Sequence, residues 1–307
     1  MKQEDRFGAY LALLSAVLFW GLSFVFTKVA LESFSTFTLV FGRFSLASCV
    51  FVVLMARRGL PSFTRKEHFR VLLIAFFDPG LYFVFETIGL QHTTAPKAAL
   101  IIATIPIVVL VLAALLLGER NYLASLFGMI ISIAGIAVVV TGAQDFSWAF
   151  GGQLMGDLLV FGAVVSAACY IVFVRDLSRK HSAVKITSMQ IIYAAVLYSP
   201  AFLWELPSVQ WSEVSYQSLG ALAFLTLFAT IGAFLCYNYA LTKIPATKAS
   251  AFINGIPVVT ALGAWIFLGE TLTLTQLGGG VLVLFGVFLA NFPAVRPVPK
   301  DLARAVP

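Results

Sequence analysis

The sequence predicts an all-α integral membrane protein with ten transmembrane helices arranged as two inverted five-helix repeats. Three observations predict it: an apolar composition, basic residues that alternate in side along the chain, and a long internal repeat. Of 307 residues, 60% are hydrophobic and 11% charged, whereas soluble domains are about 45–50% apolar and about 25% charged. A soluble fold of this size cannot hide that much apolar surface, so lipid is the solvent for most of the chain.

Crossing the hydrocarbon takes about 20 mainly apolar helical residues. Runs of that kind, bounded by charges, prolines and polar clusters, lie near 7–30, 35–56, 69–91, 95–117, 122–141, 154–174, 186–204, 217–241, 247–268 and 273–292. Placing every Lys and Arg on one side or the other of these runs leaves Lys28 and Lys97 opposite the rest and Arg43 within the membrane. Every other basic residue falls on the same side, and by the positive-inside rule that side is cytoplasmic. A cell-membrane, multi-pass protein with both termini cytoplasmic is therefore expected. A miscounted span would break the alternation.

The first run is too long for a signal-peptide core and lacks a small-residue cleavage site, so it is expected to stay as an anchor. The connections are short, the longest outward ones near 142–153 and 205–216, which leaves no room for an extramembrane catalytic domain. The net charge of +6 sits in short gaps between apolar runs, not on one polar face, which argues against nucleic acid. Cys49, Cys169 and Cys236 fall inside predicted spans and read as buried inert thiols. No cofactor is called for, and His68, His92 and His181, in loops or at a helix end, do not form a metal-binding cluster.

The repeat appears when the sequence is shifted by 151 positions. Lys97, Ala98, Pro106, Leu117, Gly118 and Glu119 then fall on Lys248, Ala249, Pro257, Leu268, Gly269 and Glu270. Leu126, Gly128 and Gly135 fall on Leu277, Gly279 and Gly286, Ser15 and Ala16 on Ser166 and Ala167, and Lys28 on Arg179. Chance apolar similarity does not keep Lys, Pro, Gly and Glu in one register. Five spans is an odd number, so the second copy enters from the opposite face, as in the inverted repeats of many secondary transporters. The expected units are residues 1–150, 151–293 and a cytoplasmic tail, 294–307.

These residues carry a resemblance. Phe19-Trp20-Gly21, then Ala95-Pro96-Lys97-Ala98-Ala99 running to Pro106 and Leu117-Gly118-Glu119, with the same pattern from Ala246 through Pro257 to Leu268-Gly269-Glu270, is similar to EamA-type permeases of the drug/metabolite transporter superfamily. The resemblance covers about residues 8–291. It implies a ten-helix carrier, usually an exporter of amino acids or other metabolites, with a central cavity between the halves. The second half departs from the first where Trp20 falls on Ile171 and Tyr82 on Ala233, so a chemically asymmetric pocket is expected.

Ionisable groups inside a span are costly and are functional candidates by default. Arg43, Asp78 and Glu86 are such groups. At about 1.5 Å per residue Arg43 lies roughly 12 Å, Glu86 roughly 8 Å and Asp78 roughly 20 Å from the outer edge. Asp78, Tyr82 and Glu86 follow i, i+4, i+8 spacing and should form one stripe. Two readings compete for it. In one it is a cavity wall on which Asp78 or Glu86 gains and loses a proton as exposure changes; in the other Arg43 pairs with a carboxylate to hold two spans together. Pro79 and Gly80 follow Asp78 near mid-membrane, and broken helices at that depth are where carriers bind solute.

Pro106 and Pro257 occupy equivalent mid-span positions, with Thr104 and Asn254 just before them. They read either as symmetric kinks of a rocking carrier or as bends needed for packing. Gln190, Asn238 and Asn254 can donate and accept towards a zwitterionic or amide-bearing solute, or can join helices to one another. Trp20 lies deeper than an interfacial belt and can stack on a planar or cationic solute. Tyr170, Tyr237 and Tyr239 would extend an aromatic wall, although aromatic residues in this chain, with 29 Phe, are as readily packing residues. Glu119 and Glu270 end their spans and are expected to cap the helix that follows each. Gly128, Gly135, Gly278, Gly279, Gly280 and Gly286 are expected to allow close helix approach within the halves or at a dimer seam, which leaves monomer and homodimer both open.

The leading functional expectation is secondary transport of a small solute by alternating access, with proton coupling one option. A phosphate-binding Gly-rich loop ending in Gly-Lys-Ser/Thr is absent, which argues against ATP hydrolysis. Efflux of drugs, nucleobases or amphiphilic cations is the alternative substrate class. A channel or sensor is the alternative of a different kind, and it would need a continuous polar ring. A membrane enzyme would need paired catalytic groups at one depth, and no such pair stands out.

Overall fold

The computed structural model describes residues 3–59, 63–92, 101–119, 123–142, 154–209, 211–269 and 273–291. The tail 294–307, Glu270, Lys97 and nearly all of the connection 142–153 lie outside the described residues. Among the described residues the chain is helical and contains no strand. In order, the helices are α1 (Gln3–Ala30), α2 (Thr36–Arg58), α3 (Arg65–Ala75), α4 (Tyr82–His92), α5 (Ile105–Leu117) and α6 (Leu123–Thr141). There follow α7 (Leu154–Leu177), α8 (Ala183–Glu205), α9 (Tyr216–Phe224), α10 (Ala233–Lys243), α11 (Ala246–Ala251), α12 (Ile256–Leu268) and α13 (Leu274–Asn291).

Eight helical stretches are long and apolar enough to cross a membrane, with two shorter apolar helices at Ile105–Leu117 and Ser125–Val139. These shorter helices stand where the runs 95–117 and 122–141 were expected, and part of each run falls on residues outside the described ones. The faces are those of a protein in lipid. On α1, Phe7, Leu11, Leu14 and Leu18 are exposed, whereas Ala9, Leu13 and Ala16 are fully buried. Helical periodicity therefore separates large lipid-facing side chains from small ones that let neighbours approach. The chain is a multi-pass membrane protein.

The helix starts Gln3, Arg65, Tyr82, Ile105 and Leu123 recur at Leu154, Tyr216, Ala233, Ile256 and Leu274, each displaced by the same 151 positions as the sequence repeat. Gly118 and Gly269, with φ of 64° and 69°, end α5 and α12 in left-handed caps whose N–H groups donate to Ala113 O and Ala264 O. Packing follows the same rule. α4 and α5 lie on α7, α10 and α12 lie on α1, α2 pairs with α8, and α6 pairs with α13. Exchanging the two copies maps this set of pairs onto itself.

Close approach is greatest between α6 and α13. A Cβ at Gly135 would lie 2.6 Å from Val283 N, and one at Gly279 would lie 2.7 Å from Val139 N. Only glycine fits at that separation. Ser125 Oγ donates across the seam to Ala290 O at 2.9 Å.

Several local expectations change. Pro106 and Pro257 do not kink a continuous helix. The chain makes a tight turn over 101–104 and a 3-10 turn at Phe252–Gly255, and each proline then opens a new helix in its first turn, where a missing N–H costs nothing. The cysteines are not fully buried: Cys49 is exposed and Cys169 and Cys236 are partly so, because their helix faces look towards lipid. His68 lies inside α3, with Nδ1 2.8 Å from Tyr193 Oη.

Glu119 caps a helix distant in the chain. Its carboxylate accepts from Ala246 N at 2.9 Å and from Thr247 N and Oγ1 at 3.3 and 3.0 Å, which caps α11 of the other copy. Arg175 Nε lies 3.6 Å away. At the opposite end Glu205 performs the same service for α2, accepting from Thr38 N at 2.8 Å and from the Ser35 hydroxyl at 2.5 Å.

Candidate functional site

The site forms around a broken helix. Between α3 and α4 the segment Phe76–Leu81 leaves α-helical geometry, and Asp78 is extended at φ −143°, ψ 116°. Proline crowds the residue before it out of the α region, and Pro79 itself has no N–H to donate. Backbone carbonyls are thereby released in the membrane interior, where they need partners. The second copy supplies them from one face of α8. Gln190 Nε2 donates to Asp78 O at 2.9 Å, and Tyr198 Oη to Pro79 O and Gly80 O at 2.9 and 3.0 Å. The equivalent stretch of the second copy, Leu225–Gly232, also leaves α geometry, with wider i→i−5 hydrogen bonding such as Ala233 N–H to Phe228 O.

This break interrupts the regular i, i+4, i+8 spacing expected of Asp78, Tyr82 and Glu86. Tyr82 and Glu86 remain together on α4, with Tyr82 Oη donating to Glu86 Oε1 at 3.4 Å. Asp78 sits on the break itself.

A buried polar network continues from Gln190. Asn238 Nδ2 donates to Gln190 Oε1 at 3.1 Å and to Thr187 Oγ1 at 2.8 Å, and Tyr170 Oη donates to Asn238 Oδ1 at 2.8 Å. Tyr170, Gln190 and Asn238, on α7, α8 and α10, are thus joined to each other and to the broken segment. Above them Trp20 packs with ring centroids 5.5 Å from Phe234 and 5.2 Å from Tyr237. Tyr237 stacks near Tyr170 at 6.5 Å, and its fully buried hydroxyl has no hydrogen-bond partner among the described residues.

Arg43 is 5% exposed and does not pair with a carboxylate among the described residues. Its Nε donates to Thr230 Oγ1 at 2.8 Å, and its guanidinium lies 5.6 Å from the Phe44 ring centroid and 5.8 Å from that of Phe83. Asp78 and Glu86 are near enough for their charges to act on it, yet neither closes the ion pair that a purely structural role would use. Thr230 comes from the irregular segment of the second copy, so Arg43 joins the breaks of both copies.

Other expected residues stand apart. Thr104 Oγ1 donates to Ile101 O at 2.6 Å, closing its own turn. Asn254, in the 3-10 turn before Pro257, has both amide atoms buried without a partner among the described residues. Tyr239 is 37% exposed and belongs to the outer face of α10. Among the described residues no group of three or more His, Cys, Asp or Glu side chains could hold a metal. Tyr198, Thr187, Thr230, Phe44 and Phe83 belong to the site without having been singled out from sequence. Gln190 and Tyr198 are eight residues apart, two helical turns, and that spacing was the available signal.

The profile of the EamA-like transporter family matches this chain twice, over residues 7–141 and 154–292. An uncharacterized transporter of Archaeoglobus fulgidus is 29% identical over 282 residues, covering 91% of this chain and 97% of its own. The uncharacterized transporter YetK of Bacillus subtilis is 26% identical over 299 residues, covering 96% and 90%. A chloroplastic WAT1-related protein of Arabidopsis thaliana is 27% identical over 305 residues, covering 94% of this chain and 71% of its own. A solved crystal structure superposes with a TM-score of 0.79 at 18% identity, covering 93% of this chain and 96% of that one, a likeness of fold. With a double family match spanning nearly the whole length and relatives named as transporters, the chain belongs to the EamA-like transporter family and is a membrane transporter.

Proposed function

We propose that this protein is a secondary carrier exporting small zwitterionic metabolites such as amino acids by alternating access. Its ten spans form two inverted halves, residues 1–150 and 151–293, in the cell membrane with both termini cytoplasmic. Recurrence of helix starts, caps and packing partners at an offset of 151 residues supports the duplicated architecture, as do the two family-matched ranges. The observation that carries the substrate reading is Arg43: a buried guanidinium held by a hydroxyl and two aromatic rings, with Asp78 and Glu86 nearby and unpaired with it. A solute carboxylate would take Arg43, and its ammonium would take Asp78 or Glu86. Gln190 and Asn238 would read its polar remainder, and Trp20, Tyr82 and Tyr170 would enclose its side chain. Coupling to protons would run through Asp78, at the break between α3 and α4.

The aromatic enclosure of Trp20, Phe234 and Tyr237 favours a second reading, efflux of planar amphiphilic cations. Counterflow in proteoliposomes tests the carrier. Vesicles preloaded with unlabelled amino acid are expected to take up labelled amino acid faster than empty ones. Equal uptake with and without preloading would indicate a channel, and counterflow supported by organic cations alone would select the second reading.

A further inference from the structure

Away from the central cluster, a groove of about 580 Å3 lies between the first turns of α3 and the last turn of α7. Its lining is graded. Arg65, Lys66, Arg70 and Asp176 form its polar part, and Phe69, Leu73 and Phe173 its apolar part. Phe69 is 60% exposed, and the apolar surface continues to the exposed Phe76 two turns further along the chain. Arg70 is held by Asp176 of α7 at 3.1 Å, while Arg65 and Lys66 form no ion pair among the described residues. Unneutralised cations above an open aromatic slot, at the level where a membrane helix meets water, match one chemistry, a phosphate group carried on acyl chains. Basic pockets between membrane helices bind such headgroups. We propose that this groove is a binding site for an anionic phospholipid, its phosphate on Arg65 and Lys66 and an acyl chain along Phe69, Leu73 and Phe173. Because α3 and α7 come from different copies of the repeat, the lipid would bridge the seam between them. The site is independent of what the central cluster carries and of which face is cytoplasmic.

The test is native mass spectrometry of the purified full chain in neutral detergent, titrated with phosphatidylglycerol or with phosphatidylcholine of the same acyl chains. Wild type is expected to retain phosphatidylglycerol over phosphatidylcholine. Removing two interfacial cations in the double variant Arg65→Gln/Lys66→Gln should weaken that retention roughly thirtyfold. Arg6→Gln, an exposed cation on α1 outside the groove, should leave it unchanged. Equal retention of the two lipids, an equal loss in Arg6→Gln, or displacement by millimolar inorganic phosphate would overturn the proposal. If the double variant does not fold, Lys66→Gln alone is read in the same way, with a loss of roughly fivefold.

Discussion

At the scale of single residues, Asp78 and Arg43 separate scaffold from chemistry. Gln190 and Tyr198 hold the carbonyls of the broken segment, not the Asp78 carboxyl, so the break does not depend on that carboxyl's charge. Asp78→Asn keeps the residue's size and its place before Pro79. It is expected to keep the thermal midpoint of wild type while losing the acceleration of transport by an imposed pH gradient in proteoliposomes. Retained pH-gradient dependence would remove Asp78 from coupling. Arg43, Asp78 and Glu86 were visible in the sequence because charges in apolar runs are rare and costly. That Arg43 meets Thr230 and two phenylalanines, and not a carboxylate, was not visible, because its partners lie 187 positions away or are ordinary apolar residues.

Among the elements, the α6–α13 seam and the two glutamate caps make distinct demands. Val at Gly135 would drive a Cβ into the α13 backbone, so Gly135→Val should cost about 1–3 kcal/mol or more and lower the thermal midpoint accordingly. Gly278→Val, on the open face of α13 with no atom within 4 Å of its added Cβ, should leave the midpoint nearly unchanged. If the two variants behave alike, the close-packed seam is wrong. Glu119 ties the two copies at one end of the bundle and Glu205 at the other. In an alternating-access carrier each tie stabilises the state closed at its own end. On a cysteine-free background with a probe cysteine at Asn254, Glu119→Ala is expected to raise labelling by a membrane-impermeant thiol reagent from the cytoplasmic side. Glu205→Ala is expected to raise it from the outside. A rise from the same side in both variants would contradict opposed gates. The glutamate at the end of α5 was legible as a cap, but its client was not, since capping depends on which N-terminus packs nearest.

For the whole molecule, the basic residues predict an orientation with both termini on one side, and the offset of 151 predicts two five-helix halves. Tags placed at the two ends are expected to be protected together in right-side-out vesicles and exposed together in inverted ones. Opposite protection of the two ends would break the five-plus-five reading.

The sequence by itself determined that this chain lives in a membrane and carries an internal repeat at an offset of 151 residues. Those properties rest on composition, periodicity and local backbone chemistry such as the proline after Asp78 or the glycines that end α5 and α12, all of which act over a few residues. Tertiary structure alone decided which groups meet: Gln190 and Tyr198 on the broken segment, Thr230 on Arg43, Glu119 on α11. In a membrane interior an unpaired polar group is expensive enough that each seeks whatever partner packing brings within hydrogen-bond reach. Which partner that is depends on how helices distant in the chain are laid against one another.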